Sequence, residues 1–501
     1  MGENNAGSTD PLESLELPSM TAGSLARKFG PGIMLMMTGI GTSHLVTAPV
    51  AGGRYGYALL WCLPIAYIFK YYGFEMAIRF THATGRSMLD AYATAWKKLP
   101  VWYVLITTII QSAIGQAGRL IAAAAVVFYF FRMYLGVDLP GVDDDGELAV
   151  YGLVLGATSV MIILRGRYAV VELATKIAAG ILIICTFAVF IVEPAPVSSF
   201  VYFFKLQTPE GSWLIIASFL GLLPTGIDVS LQASEWGKAK KVGLGRLRPD
   251  LENAGIAPTF DAFEGTKADL AVDTSKISPR AQEYCRRWFR IGLIDFRVGH
   301  IVSFVLAAIF MLLAAVWIYP SDVAGNAVMG EIARIFTDSV GPSMMLIFLI
   351  GALAATYSTA FNYFDGWPRV VGACCRNLFR KTAALPRTSR EELDDAQKKT
   401  WYSEYNIYRM TMFFSLIASV AIIVGLPRPV YLVLVASALA YFVAPVIYFL
   451  NLYYCKTIIP KDNELFHPSP FATWFGWFSL LVFTGMSAIL ISERLFGVSL
   501  F

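Results

Sequence analysis

The sequence predicts an all-α polytopic membrane protein. Of its 501 residues, 56% are hydrophobic and 15% charged. Apolar runs close to the ~20 residues that cross a bilayer recur along the whole chain, too many for a soluble core. Basic residues also collect in alternate connections, as they do when loops alternate between the two sides of a membrane. A closed β-barrel is the other legal way to span a bilayer, but it needs short alternating strands, which these continuous runs are not.

Taken in order, residues 1–29 are polar, with Glu3, Asp10, Glu13 and Glu16 and no apolar stretch, and read as a disordered cytoplasmic tail. Eleven spans follow, at 30–50, 57–80, 101–132, 148–164, 168–192, 212–237, 298–319, 341–366, 405–426, 428–454 and 470–493. Span 1 opens on Gly30-Pro31-Gly32 and stops looking like a helix at Gly39–His44, where glycines, hydroxyls and an imidazole replace apolar side chains. Span 6 carries a second such interruption at Leu222–Asp228, with Pro224 and Gly226. Broken backbone at mid-membrane is tolerated only where it lines a protein-enclosed cavity, so both breaks mark a candidate binding site.

The connections test the count. Residues 81–100 hold His82, Arg86, Lys97 and Lys98, whereas the next connection holds Asp138, Asp143, Asp144, Asp145 and Glu147. Arg165 and Arg167, then the 238–297 loop, then the 367–404 loop with Arg369, Arg376 and Arg380 continue the basic side. This alternation puts the N-terminus in the cytoplasm and the C-terminus outside the cell membrane. Two broken spans five apart, with an odd number of spans per unit, form an inverted repeat: 30–192 and 212–454 within a 30–455 core, then an eleventh helix in 456–501. The 238–297 loop, rich in Gly, Pro, Asp and Lys, reads as a partly ordered cytoplasmic insertion. The pattern favours a secondary transporter over a channel, a receptor or a membrane enzyme. No phosphate-cradling loop, metallohydrolase or serine-hydrolase motif is present. No enzyme activity, cofactor or nucleic-acid partner is therefore expected, and the lipid bilayer is an expected partner. Six cysteines, none on the predicted outer side, imply no disulfide framework.

Ionisable and polar residues inside spans are functional candidates by default. His44 sits in the first break, where it suits a metal, a proton or an organic solute. Asp228 lies in the second, either as its partner or as the cap of the helix that resumes there. Lys70 and Glu75 are expected near the cytoplasmic end of span 2, snorkelling to the surface. Arg119, with Gln111 and Gln116 on span 3, wants a carboxylate, and Glu75 or Asp228 would supply one. Glu172 and Lys176 form a structural i,i+4 pair. On span 8, Thr359 and Asn362 are placed on the cavity and Asp365 near the inner surface. Glu75, Gln116, Arg119 and Asn362 are the coupling or pathway candidates.

From Gly30 onward the chain resembles the Nramp family of divalent-metal transporters. The resemblance rests on the Gly-Pro-Gly opening, on Ala51-Gly52-Gly53-Arg54-Tyr55-Gly56-Tyr57, on Thr84-Gly85-Arg86, on the long third span and on Pro224 at the break of span 6. It implies a LeuT-like fold of two inverted five-helix repeats and a divalent metal substrate such as Mn, Fe or Mg. At the site the chain departs from the family. Asp-Pro-Gly-Asn is replaced by Gly41-Thr42-Ser43-His44, Met-Pro-His by Leu223-Pro224-Thr225, the family's second span-6 histidine by Ser230, and its acidic proton route by Gln116 and Arg119. The substrate-binding set expected here is Gly41, Thr42, Ser43, His44, Leu223, Thr225 and Asp228, with His44 and Asp228 as the metal ligands. Without a thioether such a site has a weak basis for rejecting hard cations.

Overall fold

In the computed structural model, residues 15–21, 23–25, 41–166, 180, 183–321, 328–384 and 399–496 are described, and these contain helices and no strand. The first half of span 1, up to Ile40, and Glu172 with Lys176 lie outside them. Among the described residues, seven helices are long and apolar enough to cross a membrane: Trp96–Tyr134, Asp144–Leu164, Pro279–Trp317, Met344–Leu378, Glu404–Gly425, Pro429–Ile458 and Pro470–Ser492.

The described part of span 1 is a π-helical turn, Ser43–Thr47, running into α1 (Ala48–Tyr55). Span 2 is α2 (Cys62–Thr84), whose Lys70, Glu75 and Arg79 make it too polar to count among the seven. Span 3 is α3 (Trp96–Tyr134), interrupted at mid-length by a π-helical segment, Gln111–Gly115. Such wide turns are rare and concentrate at functional positions. Span 4 is α4 (Asp144–Leu164), capped by Asp143, and the described end of span 5 is α5 (Ile183–Val192). Span 6 is two helices, α6 (Trp213–Leu222) and α7 (Val229–Ala239), with Leu223 in extended conformation between them. Span 7 lies in α8 (Pro279–Trp317), followed by a helix the sequence reading lacked, α9 (Val328–Val340). Spans 8 to 11 are α10 (Met344–Leu378), α11 (Glu404–Gly425), α12 (Pro429–Ile458) and α13 (Pro470–Phe496).

Small residues set how closely these helices approach. A β-carbon at Gly52 of α1 would strike the Met311 carbonyl of α8, and one at Gly221 of α6 would strike the Ser437 carbonyl of α12. Large apolar side chains on α3, α4, α11 and α13, among them Ile106, Leu153, Ile417 and Leu481, are exposed, as lipid-facing residues are.

The 238–297 stretch is more ordered than its composition suggests. It forms a helix at Leu244–Asn253, and α8 begins at Pro279, well before the apolar segment. Leu244, Leu247, Leu251 and Leu270 are buried. The Arg248 guanidinium donates to the carbonyls of Thr84, Leu270, Pro258 and Asp269 at 2.6–3.1 Å, stitching the segment to the end of α2. One arginine satisfying four carbonyls adds a polar tie to that buried apolar set.

Candidate functional site

The two interruptions are built differently. In span 1 the wide turn at Ser43–Thr47 keeps the backbone bonded, with Leu45 N–H donating to the Gly41 carbonyl at 2.9 Å. Gly41 lies against α10. A β-carbon there would overlap the Thr359 hydroxyl and come within 2.8 Å of the Ala355 carbonyl. The position that carries aspartate in the resembled motif thus has no room for a side chain, because α10 fills it. Thr42, Ser43 and His44 are buried. The His44 ring bonds to Ser43 Oγ through Nδ1 (2.9 Å), and its Nε2 faces the Ser303 carbonyl (2.9 Å), Ser303 Oγ (3.0 Å) and Tyr67 OH (3.2 Å). Tyr67 and Ser303 are themselves bonded at 2.7 Å. His44 is therefore held between α2 and α8.

In span 6 the backbone is broken and the freed carbonyls find a charged donor. Lys70 Nζ donates to the carbonyls of Leu220 (3.0 Å), Gly221 (2.9 Å), Leu223 (2.8 Å) and Thr225 (2.7 Å). This corrects the expectation that Lys70 snorkels to the cytoplasmic surface. The side chain is completely buried, because the last carbonyls of α6 and those of the extended stretch have no intrahelical partner and no water in lipid. Leu223, expected at the substrate, thus has its carbonyl engaged by Lys70. Glu75, expected to snorkel beside it, is also buried and pairs with Arg79 at 2.5 Å.

Asp228 stands at the start of α7 and is half-buried, and its side chain makes no capping bond to that helix. Trp367 Nε1 approaches its carboxylate at 3.4 Å. The charged groups whose fields reach it are Arg119 and Lys70. Asp228, rather than Glu75, is thus the carboxylate facing Arg119. The Arg119 guanidinium donates to the Gly115 carbonyl (2.6 Å) and lies 3.7 Å from the Tyr363 ring centre and 4.9 Å from that of Trp367. Tyr363 OH meets Thr225 Oγ1 at 3.1 Å, which ties α10 to the broken stretch. Gln116 donates to the Ala360 carbonyl (3.0 Å). Gln116 Oε1, Arg119 Nε and both amide atoms of Gln111 and Gln232 are buried without a hydrogen-bond partner among the described residues. Asn362 and Thr359 are buried on α10, Thr359 bonding back to the Ala355 carbonyl at 3.1 Å.

At the end where the basic connections lie, α7 is tied to the scaffold by ion pairs. Asp90 pairs with Lys238 and with Arg376 (3.1 Å), and Arg376 pairs with Glu404 (2.8 Å). Asp365 receives Arg369 (2.7 and 2.9 Å), Tyr408 OH (2.6 Å) and Trp236 Nε1 (3.1 Å). Burial acts to raise the Asp90 carboxyl, but Lys238 and Arg376 outweigh it and hold it well below the usual carboxylate range.

The profile of the natural resistance-associated macrophage protein-like family, Nramp, matches residues 32–493. The chain belongs to the Nramp family. A crystal structure of a single-residue mutant of the Eremococcus coleocola manganese transporter superposes with a TM-score of 0.61 at 12% identity, covering 97% of this chain and 91% of that one. MHP1, a nucleobase-cation-symport-1 family transporter crystallised closed with bromovinylhydantoin, gives 0.51 at 12% identity over 93% and 88%. The fold is thus the LeuT-like arrangement of two inverted five-helix repeats with an eleventh helix. An uncharacterized protein of Pasteurella multocida (strain Pm70) is 21% identical over 366 residues, 71% of this chain and 72% of that one.

This Nramp chain contains, among the described residues, no group of three or more His, Cys, Asp or Glu side chains placed to hold one metal ion. Tyr67, Ser303, Tyr363, Trp367 and Gln232 belong to the site's surroundings but escaped the sequence reading, and Lys70 was read there only as a snorkelling residue. Lys70 alone carried a usable signal, as a lysine well inside a span.

Proposed function

We propose that the protein is a secondary transporter that carries a divalent metal ion inward by alternating access, with the span-1 segment and α6–α7 rocking against the rest of the bundle. The observation that carries the reading is Asp228: a half-buried carboxylate at the break of span 6 that does not cap its own helix. His44, with Thr42, Ser43 and Thr225 and the Gly41 carbonyl, would complete an oxygen- and nitrogen-rich shell for Mn²⁺, Fe²⁺ or Mg²⁺. The N-terminus would face the cytoplasm and the C-terminus the outside. Proteoliposome uptake of Mn²⁺, Fe²⁺ and Mg²⁺ tests this. Saturable uptake that is lost in Asp228→Ala supports it, and saturable uptake that is unchanged in Asp228→Ala and His44→Ala refutes the site.

A second reading has its own observation. Two fixed cations, Lys70 and Arg119, face one carboxylate, and the amides of Gln111 and Gln232 have no partner among the described residues. That surplus of positive charge opposes a divalent ion and favours a small organic solute bearing a carboxylate, bound by Arg119 and the amides. Calorimetric titration with Mn²⁺, Mg²⁺ and Zn²⁺ separates the two, since an organic-solute carrier binds none of them.

A further inference from the structure

We propose that the break in span 6 is a site for a monovalent cation, and that Lys70 fills it permanently with its own ammonium group. The carbonyls of Leu220, Gly221, Leu223 and Thr225 converge on one point, the Lys70 nitrogen, at 2.7–3.0 Å. Two of them end α6 and two belong to the non-helical stretch that follows. The rings of Phe74 and Phe483 stand 6.0 and 5.9 Å from the same nitrogen, and Asp228 is the carboxylate whose field reaches it.

The size of this cage identifies its occupant. Calcium takes oxygen ligands at about 2.3–2.6 Å and magnesium at about 2.0–2.1 Å, both shorter than these distances. Four neutral carbonyls also lack the charge that a dehydrated divalent ion demands. The cage therefore suits a primary ammonium or a large alkali ion. Because Lys70 is tethered to α2, the cation cannot exchange. The unwound backbone keeps its donors in every ionic medium, and a charge that would otherwise come from solution is built into the chain. This holds whether the cargo is a metal ion or an organic solute.

Chemical rescue tests the idea. Lys70→Ala removes three methylenes and the ammonium, the volume of n-propylammonium. The purified variant should melt well below the wild type, and n-propylammonium should restore roughly half or more of the loss in a concentration-dependent way. Propanol, of the same shape but uncharged, and tetramethylammonium, charged but without N–H donors, should not. Lys70→Met, which keeps the apolar stem, should melt low without responding to the amine. Equal rescue by propanol, no rescue by any amine, or a Lys70→Met protein as stable as the wild type would overturn the proposal. If neither variant folds, the wild type decides. Its melting temperature should be the same in sodium, potassium and choline chloride at constant ionic strength, and a rise specific to sodium or potassium would mean that an exchangeable ion holds the break.

Discussion

The two interruptions of this bundle solve one problem by opposite means. At Ser43–Thr47 the helix widens but stays bonded, and its one imidazole is held by Tyr67 and Ser303. At Leu223–Asp228 the helix opens, and charge gathers around the opening: Lys70 on the carbonyls, with Asp228 and Arg119 beside them. A wide turn keeps its backbone satisfied in lipid and needs no ion. An open stretch leaves several polar groups unpaired, each costing several kcal/mol unless a donor is brought to it. In this chain the first break carries shape and the second carries charge.

The sharpest way to break that contrast is to remove the charge. Asp228→Asn should reduce substrate uptake in proteoliposomes by at least about tenfold, roughly 1.4 kcal/mol or more of lost binding, while His44→Gln should change uptake per folded molecule less. Equal losses would mean that both breaks hold the cargo directly.

Next in size is the contact that closes the first break. Gly41→Ala pushes a methyl group into Thr359 and should cost about 1–3 kcal/mol, read as a lower midpoint in thermal or denaturant unfolding. Thr359→Ala in the same chain should recover much of that loss. No recovery would show that the Ala355 carbonyl, rather than the Thr359 hydroxyl, is the contact that requires glycine there.

Arg119→Gln sharpens the question of cargo. Removing a fixed cation beside Asp228 should tighten Mn²⁺ binding severalfold in calorimetry if the cargo is a metal, and weaken uptake if the cargo bears a carboxylate. The smallest effect concerns the ion pairs that tie α7 to the scaffold. Asp90 is held below its ordinary value, so its contribution is complete above the unfolded carboxylate value of about 4 and is lost as acid carries the pH down through the folded value. The stability gap between wild type and Asp90→Asn should therefore be flat from neutral pH to about pH 4 and narrow only below it.

Much of the architecture was legible beforehand because membrane insertion writes itself into local sequence. Long apolar runs and alternating basic connections are properties of contiguous residues, and spans 4, 9, 10 and 11 lie close to where the hydropathy put them. The break at Pro224 was legible too, since proline and glycine act on their own backbone. The long polar extension of α8 was not, because Pro279–Arg297 is too polar to register as a span. Nor was the fold of the 238–297 stretch, in which Arg248 reaches four carbonyls at three separate places in the chain.

Sequence alone therefore determined the class, most of the helical plan, the two interruptions and the residue types available at them. Only the tertiary structure decided what those residues do. Lys70 and Leu223 are far apart in the chain, as are Gly41 and Thr359, and no local pattern says that one lysine will meet four carbonyls or that a hydroxyl will fill the space beside a glycine. Side-chain roles in a membrane interior follow from which polar groups must find partners, and those partners come from other helices.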